Sequence, residues 1–157
     1  MFGRAVVAFL ALPGTVAFVV PVLLASDGAR RFNPVSLALF LPGVAGLLAC
    51  VRSFYVEGRG TLAPWSPPRH LVTSELYRYS RNPMYVSVVL ILWGWTVGFG
   101  SWTLAIYTLA VMAAFHLRVV AGEEPWLART HGEAWDRYHA AVPRWVGRSW
   151  VRRRGGR

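Results

Sequence analysis

Residues 83–120 read PMYVSVVLILWGWTVGFGSWTLAIYTLAVMAAFHLRVV, and this stretch decides the fold. It holds no acidic residue, and its only basic groups, His116 and Arg118, lie near its end. A helix rises about 1.5 Å per residue, so roughly 20 apolar residues cross about 30 Å of hydrocarbon. Ser101, flanked by Gly98 and Gly100, divides the stretch into runs 83–100 and 102–120, each about one span long. Two helices separated by so little chain form a tight antiparallel hairpin.

Towards the N-terminus the pattern repeats. Residues 34–51 form another apolar run, and residues 5–25 are uncharged throughout. A cleaved signal peptide is the rival reading of 5–25, since Arg4 precedes it, but the run is longer than a usual signal-peptide core. Pro13, Pro21 and Pro42 fall inside these runs. Proline is tolerated in a membrane helix when neighbours satisfy the carbonyls it frees. The composition agrees: 55% of residues are hydrophobic and 15% charged, against roughly 25% charged in soluble domains. The expectation is an all-α polytopic membrane protein, one domain over residues 1–157 with four transmembrane helices.

All 17 basic residues are arginine, and the net charge is +10. Such a charge suggests nucleic acid, but the arginines flank the apolar runs, so no nucleic-acid partner is expected. With four spans, both termini share a side with segments 52–82 and 121–157. That side carries every arginine except Arg30 and Arg31. The positive-inside rule therefore puts both termini in the cytoplasm. Trp65, Tyr77, Tyr79, Tyr85, Trp126 and Trp135 lie near run ends, as an interfacial aromatic belt or as site lining. Cys50 is the lone cysteine and sits in an apolar run, where it reads as a small buried residue. No spacing of Cys and His suits a metal, and none is expected.

The two cytoplasmic segments are too long and too patterned for simple connections. Segment 52–82 opens with GRGTLAP and PP, an extended, turn-rich stretch, and Thr73 or Ser74 suits the cap of a short helix. Asn82 suits an N-cap and Pro83 the first helical position of the next span. After residue 120, Glu123-Glu124-Pro125 is expected to end one helix and start another. Leu127, His131, Ala134, Trp135, Tyr138 and Val142 then recur at helical spacing, as on an amphipathic helix at the lipid surface. The basic end, with Arg148, Arg152 to Arg154 and Arg157, suits anionic headgroups. Two adjacent glutamates at a span end are either ion-paired or ligand-binding.

Leu71-Val72-Thr73-Ser74 with Tyr77, Arg81-Asn82-Pro83-Met84-Tyr85, Glu123-Glu124, and Gly132 through Tyr138 to Val142-Pro143-Arg144 together resemble the isoprenylcysteine carboxyl methyltransferase family. Phospholipid N-methyltransferases are its wider relatives. The resemblance covers roughly residues 58–146. It implies an S-adenosylmethionine-dependent membrane methyltransferase with its cofactor pocket roofed by the connecting segment and the C-terminal tail. Carried over by position, the cofactor contacts are Arg69, His70, Leu71, Val72, Tyr77, Arg81, Asn82, Pro83, Tyr85, Glu123 and Glu124. Arg118 stands one residue out of register from the family's substrate-binding arginine. The family carries His where Asn82 stands, and commonly Gly where Glu75 and Ser87 stand.

The residue types suit that chemistry. Glu123 can pair with the cofactor's ammonium or hydroxyls, and Arg81 or Asn82 with its carboxylate. Tyr77 and Tyr85 can pack on the adenine or the sulfonium. A carboxylate or thiolate acceptor needs no general base, whereas an amine acceptor would call on His70 or His116. The implied acceptor is lipophilic, by resemblance a prenylated cysteine carboxylate. A phospholipid amine and a small thiol are the alternatives within the wider family. A homodimer is compatible with this architecture. Gly98-Phe99-Gly100 looks like a glycine-rich cofactor element, but a hairpin turn explains it better. Two other classes stay open: a membrane reductase using a nicotinamide cofactor, and a non-enzymatic membrane protein. The first three spans hold no ionisable path, which disfavours transport.

Overall fold

The computed structural model describes residues 10–25, 32–56, 73 and 75–147. Among them every regular element is helical. The first helix is π-helical over Leu10–Val19 and α-helical over Val20–Ala25 (α1). A 3₁₀ turn, Pro34–Ser36, leads into α2, Leu37–Val56. A second 3₁₀ turn, Glu75–Arg78, precedes α3, Pro83–Phe99. Then come α4, Trp102–Arg118, a π turn, Val119–Glu123, and the short helices α5, Glu124–His131, and α6, Glu133–Ala141. Two helical stretches, Pro34–Ser53 and Trp102–His131, are long and apolar enough to cross a membrane. Pro13–Ala25 and Pro83–Phe99 are shorter apolar helices.

The packing follows from small residues and from repaired proline defects. α2 and α3 lie against each other along their length. A Cβ built on Gly46 would come within 2.5 Å of Ser87 Oγ, so the Ser87 hydroxymethyl group is accommodated by a glycine opposite it. Buried Leu47, Val88, Ile91, Leu92 and Ala17 form the centre of the bundle. Pro21 has no N–H to give to the preceding turn. The carbonyls four and five residues before it, Ala17 O and Val16 O, instead accept Trp95 Nε1–H at 3.0 Å and Tyr107 O–H at 3.0 Å. The expected tolerance of proline is met here by one side chain from α3 and one from α4.

The 98–102 hairpin forms as the sequence predicts. α3 ends at Phe99, Gly100 adopts φ 58°, and Ser101 caps α4 by accepting from Leu104 N. The Gly98-Phe99-Gly100 element is therefore a turn, at the end of α3 opposite Tyr85.

Several local expectations are corrected. Pro125 does not end the helix: the π turn runs straight from α4 into α5, with Glu124 N–H reaching back to Val119 O, so the wider turn makes room for the proline ring. Asn82 makes no side-chain cap bond and sits at φ −130°. The tail stripe does not lie on one helix. Gly132, at φ +48°, breaks it into α5 and α6, a conformation glycine adopts without a Cβ penalty. Trp135, Tyr138 and Val142 then turn inward as a small core with Leu127, instead of facing lipid. Tyr77 and Trp135 are likewise not belt residues, being 6% and 4% exposed. The short helix before α3 is the 3₁₀ turn starting at Glu75; Thr73 lies before it, and Ser74 lies outside the described residues.

Candidate functional site

The polar side chains gather at one end of the bundle, where α2 ends, α3 begins and the π turn joins α4 to α5. The 3₁₀ turn Glu75–Arg78 is tied to α2 by Glu75, whose carboxylate accepts from Arg52 Nη1 at 2.6 Å and Ser53 Oγ at 2.9 Å. Glu75 has φ +47°, which costs a residue with a Cβ about 1 kcal/mol. The two hydrogen bonds offset that cost. The turn buries Tyr77 against Cys50, Leu76 and Met84. Burial, and then Cys50, push the Tyr77 phenol well above its ordinary pKa. Tyr77 therefore packs the turn onto the end of α2 and the start of α3.

Two polar clusters follow, one on each glutamate. In the first, Tyr85, half-buried in the first turn of α3, donates its hydroxyl to Glu123 Oε1. Arg118 Nε, from the last turn of α4, donates to the same oxygen at 2.8 Å and to Tyr85 Oη at 3.1 Å. The Tyr85 ring packs on Phe115 with centroids 4.4 Å apart. Both charged side chains stay open, Arg118 52% exposed and Glu123 33% exposed. Among the described residues, Glu123 Oε2 and the Arg118 Nη groups have no hydrogen-bond partner. The carboxylate is thus held by one oxygen and offers the other.

In the second cluster, Arg144 grips Glu124 through two aligned bonds, Nε to Oε1 and Nη2 to Oε2, each 2.8 Å. Arg81 Nη1 lies 2.9 Å from the same Oε1. That approach is off the N–H direction, so it is a charge contact without an aligned hydrogen bond. The Arg81 guanidinium lies over the Trp135 ring, 5.5 Å from its centroid. Burial lowers the Arg81 pKa, and Glu124 opposes that shift. The hydrogen bonds from Glu124 hold Arg144 above its ordinary value.

The backbone joins the tail to the start of α3. Arg81 N–H donates to Pro143 O at 2.9 Å, and Asn82 Nδ2 donates to Arg144 O at 3.0 Å. Tyr138 O–H donates to Tyr77 O at 2.8 Å. Burial raises the Tyr138 pKa, which keeps it a neutral donor.

Of the residues carried over by resemblance, the structure brings Tyr85, Glu123 and Arg118 together at a half-open site. Arg81 and Glu124 meet in a separate, closed cluster. Asn82 fastens the tail, and Pro83 is buried at the start of α3. Arg69, His70, Leu71 and Val72 lie outside the described residues. His116, one of the two candidate bases, sits at the end of α4 with its ring 6.1 Å from that of Trp145. Arg144, Trp135, Tyr138 and Phe115 were missed as site residues. Trp135 had a signal as possible site lining, and Tyr138 and Arg144 as parts of the Gly132-to-Arg144 block; nothing in one sequence pairs Arg144 with Glu124.

The sequence model of the phospholipid methyltransferase family matches residues 48–134, just over half of the chain. The match includes Tyr85, Arg118 and both glutamates, and stops before Trp135, Tyr138 and Arg144. No curated protein and no solved structure matches the chain.

Proposed function

The chain belongs to the phospholipid methyltransferase family, whose members are methyltransferases, and from that premise we propose an S-adenosylmethionine-dependent membrane enzyme acting on a lipophilic acceptor. The observation that carries the reading is the Tyr85–Glu123–Arg118 cluster. It presents one fixed, open carboxylate oxygen and one open guanidinium edge side by side. S-adenosylmethionine supplies, when bound, an electrophilic methyl group on a sulfonium cation. The residues fit it: Glu123 Oε2 can accept from its ammonium or ribose hydroxyls, and the Tyr85 and Phe115 rings offer an apolar, cation-tolerant wall. Tyr85 and Arg118 fix the Glu123 carboxylate before the ligand arrives, which lowers the ordering cost of binding.

The open Nη groups of Arg118 suit the anionic part of an acceptor. That acceptor is a prenylated cysteine carboxylate by the resemblance of the motifs. A carboxylate needs no base and is consistent with the absence of an aligned acid–base pair among the described residues. The second reading is a phospholipid amine, favoured by the family matched. His116, near Arg118 on the same helix end, is then the candidate to take the amine proton. In either case transfer needs mainly alignment and exclusion of water. All four apolar helices then cross the bilayer, with both termini and the site at the cytoplasmic face.

The test is calorimetric binding of S-adenosylmethionine and S-adenosylhomocysteine to the full chain in detergent with lipid restored. Wild type is expected to bind both saturably. Folded Glu123→Ala and Tyr85→Ala are each expected to bind at least about 10-fold more weakly, the loss of a charge-assisted contact. No binding by folded wild type overturns the reading in favour of a reductase or a non-enzymatic protein.

A further inference from the structure

Building on the methyltransferase reading, we propose that Gly122, in the π turn between α4 and α5, is a specificity-determining position. Its missing side chain leaves the room that the acceptor's headgroup needs beside the Arg118 guanidinium. No motif assigns Gly122 a role, and packing does not explain it. At each of the four glycines of α2 and α3, Gly43, Gly46, Gly94 and Gly98, an added Cβ would come within 2.9 Å of a residue from another segment. Gly100 and Gly132 have positive φ. At Gly122 an added Cβ would meet nothing within 4 Å, and the backbone is helical. Glycine inside a helix lowers its stability relative to alanine. Neither a neighbour nor the backbone requires it here.

Its place supplies the reason. A helical side chain leans towards the N-terminus and covers the turn before its own Cα. Residue 122 stands one turn after Arg118, so a side chain there would lie over that of Arg118. Without one, Arg118 is 52% exposed. Its Nε is engaged by Glu123 and Tyr85, and among the described residues its Nη groups have no hydrogen-bond partner. Trp126, one turn further on, does not fill the space; its ring packs edge-on to that of His131, centroids 6.2 Å apart. The gap also falls in a π turn, a geometry frequent at functional sites.

Along the turn, Gly122 stands between exposed Ala121 and Glu123, which faces Tyr85 of α3. Leu117, one turn before Ala121, is 66% exposed and continues that outer surface as an apolar one. A lipophilic acceptor arriving from the bilayer therefore passes over residue 122 before it reaches a methyl group held at Glu123. The group that fits the gap is an oxyanion on a lipid, a carboxylate or a phosphodiester, which a guanidinium edge receives through paired bonds. A side chain at 122 would bar that group and leave the contacts made by Glu123 in place.

The experiment measures three probes on the full chain in detergent: S-adenosylhomocysteine, an S-farnesylcysteine and a short-chain phosphatidylethanolamine. Wild type is expected to bind the first and one of the two lipids, and the lipid bound tells a carboxylate from a phosphodiester. Gly122→Leu is expected to weaken that lipid by about 10-fold or more, as overfilling a fitted space does. It should keep S-adenosylhomocysteine within about 3-fold, as a surface change away from the ligand does. It should also melt no lower than wild type, since leucine is the better helix former. Ala121→Leu adds bulk one position round the helix and is expected to change neither affinity. Gly122→Gln, also long, is read the same way should the leucine variant not fold. Unchanged lipid affinity in Gly122→Leu overturns the proposal. So does an equal loss in Ala121→Leu, or an equal loss of lipid and S-adenosylhomocysteine, since bulk or a distorted turn would then explain the effect. Wild type that binds neither lipid overturns it as well. Wild type that binds a lipid but no S-adenosylhomocysteine overturns the methyltransferase reading instead, and Gly122 is then judged on the lipid alone.

Discussion

The cluster around Glu123 and the cluster around Glu124 use the same residue types and differ in how closed they are. Around Glu123 the carboxylate is held by one oxygen, Arg118 is half exposed, and the Tyr85 ring of α3 packs on Phe115 of α4. Around Glu124 both oxygens are bonded, Arg81 is stacked on Trp135, and the tail backbone is fastened alongside. Consecutive residues on a helix point about 100° apart. Two adjacent glutamates therefore cannot serve one ligand in the same way. The comparison teaches that the first keeps one carboxylate oxygen open while the second holds the C-terminal tail on the bundle.

The largest expected effect tests that division directly. Glu124→Ala strands Arg81 and Arg144 and is expected to cost about 3–5 kcal/mol, the usual result of removing one partner of a buried ion pair. Glu123→Ala, in a part-exposed pair, is expected to cost no more than about 1 kcal/mol. Thermal unfolding of both variants in the same detergent measures the gap, and equal melting shifts would break the comparison. A smaller effect should come from Asn82→Ala, which removes one donor from Arg144 O. It is expected to cost about 1–2 kcal/mol and to speed tryptic cleavage after Arg144. Unchanged cleavage would mean that the ion pair alone fastens the tail. The smallest contrast lies at Glu75. Glu75→Ala keeps the φ +47° backbone and loses both hydrogen bonds, whereas Glu75→Gly relieves the backbone. The alanine variant is expected to be the less stable by about 1 kcal/mol. A much larger loss in both would make Glu75 a second buried anchor of the Glu124 kind.

Much of the fold was legible from local rules. Apolar run length marked the helices, and Gly100 with Ser101 marked the hairpin. Where local rules failed, a tertiary partner or a rarer helix geometry had taken over. Asn82 is a good cap by type, but its amide found the Arg144 carbonyl instead. Pro125 is a helix breaker by type, but the π turn removed the clash. Trp135 and Tyr138 have the spacing of a lipid-facing stripe, but Gly132 redirected them onto Tyr77 and Arg81. Glu75 and Ser87 likewise became intelligible only through their partners, Arg52 and Ser53 for one and Gly46 for the other.

By itself the sequence determined that this is a helical membrane protein, that its candidate site residues cluster at 81–85 and 123–124, and that the motifs belong to a methyltransferase family. Those features are written in consecutive residues, because hydrophobic run length, helix periodicity and motif spacing are local properties of a chain. Only the tertiary structure decided that Glu123 joins Tyr85 and Arg118 while Glu124 joins Arg81 and Arg144. Those pairings span 38 and 33 residues for Tyr85 and 20 residues for Arg144. They are set by which helix faces meet when the bundle packs, and no local pattern encodes that.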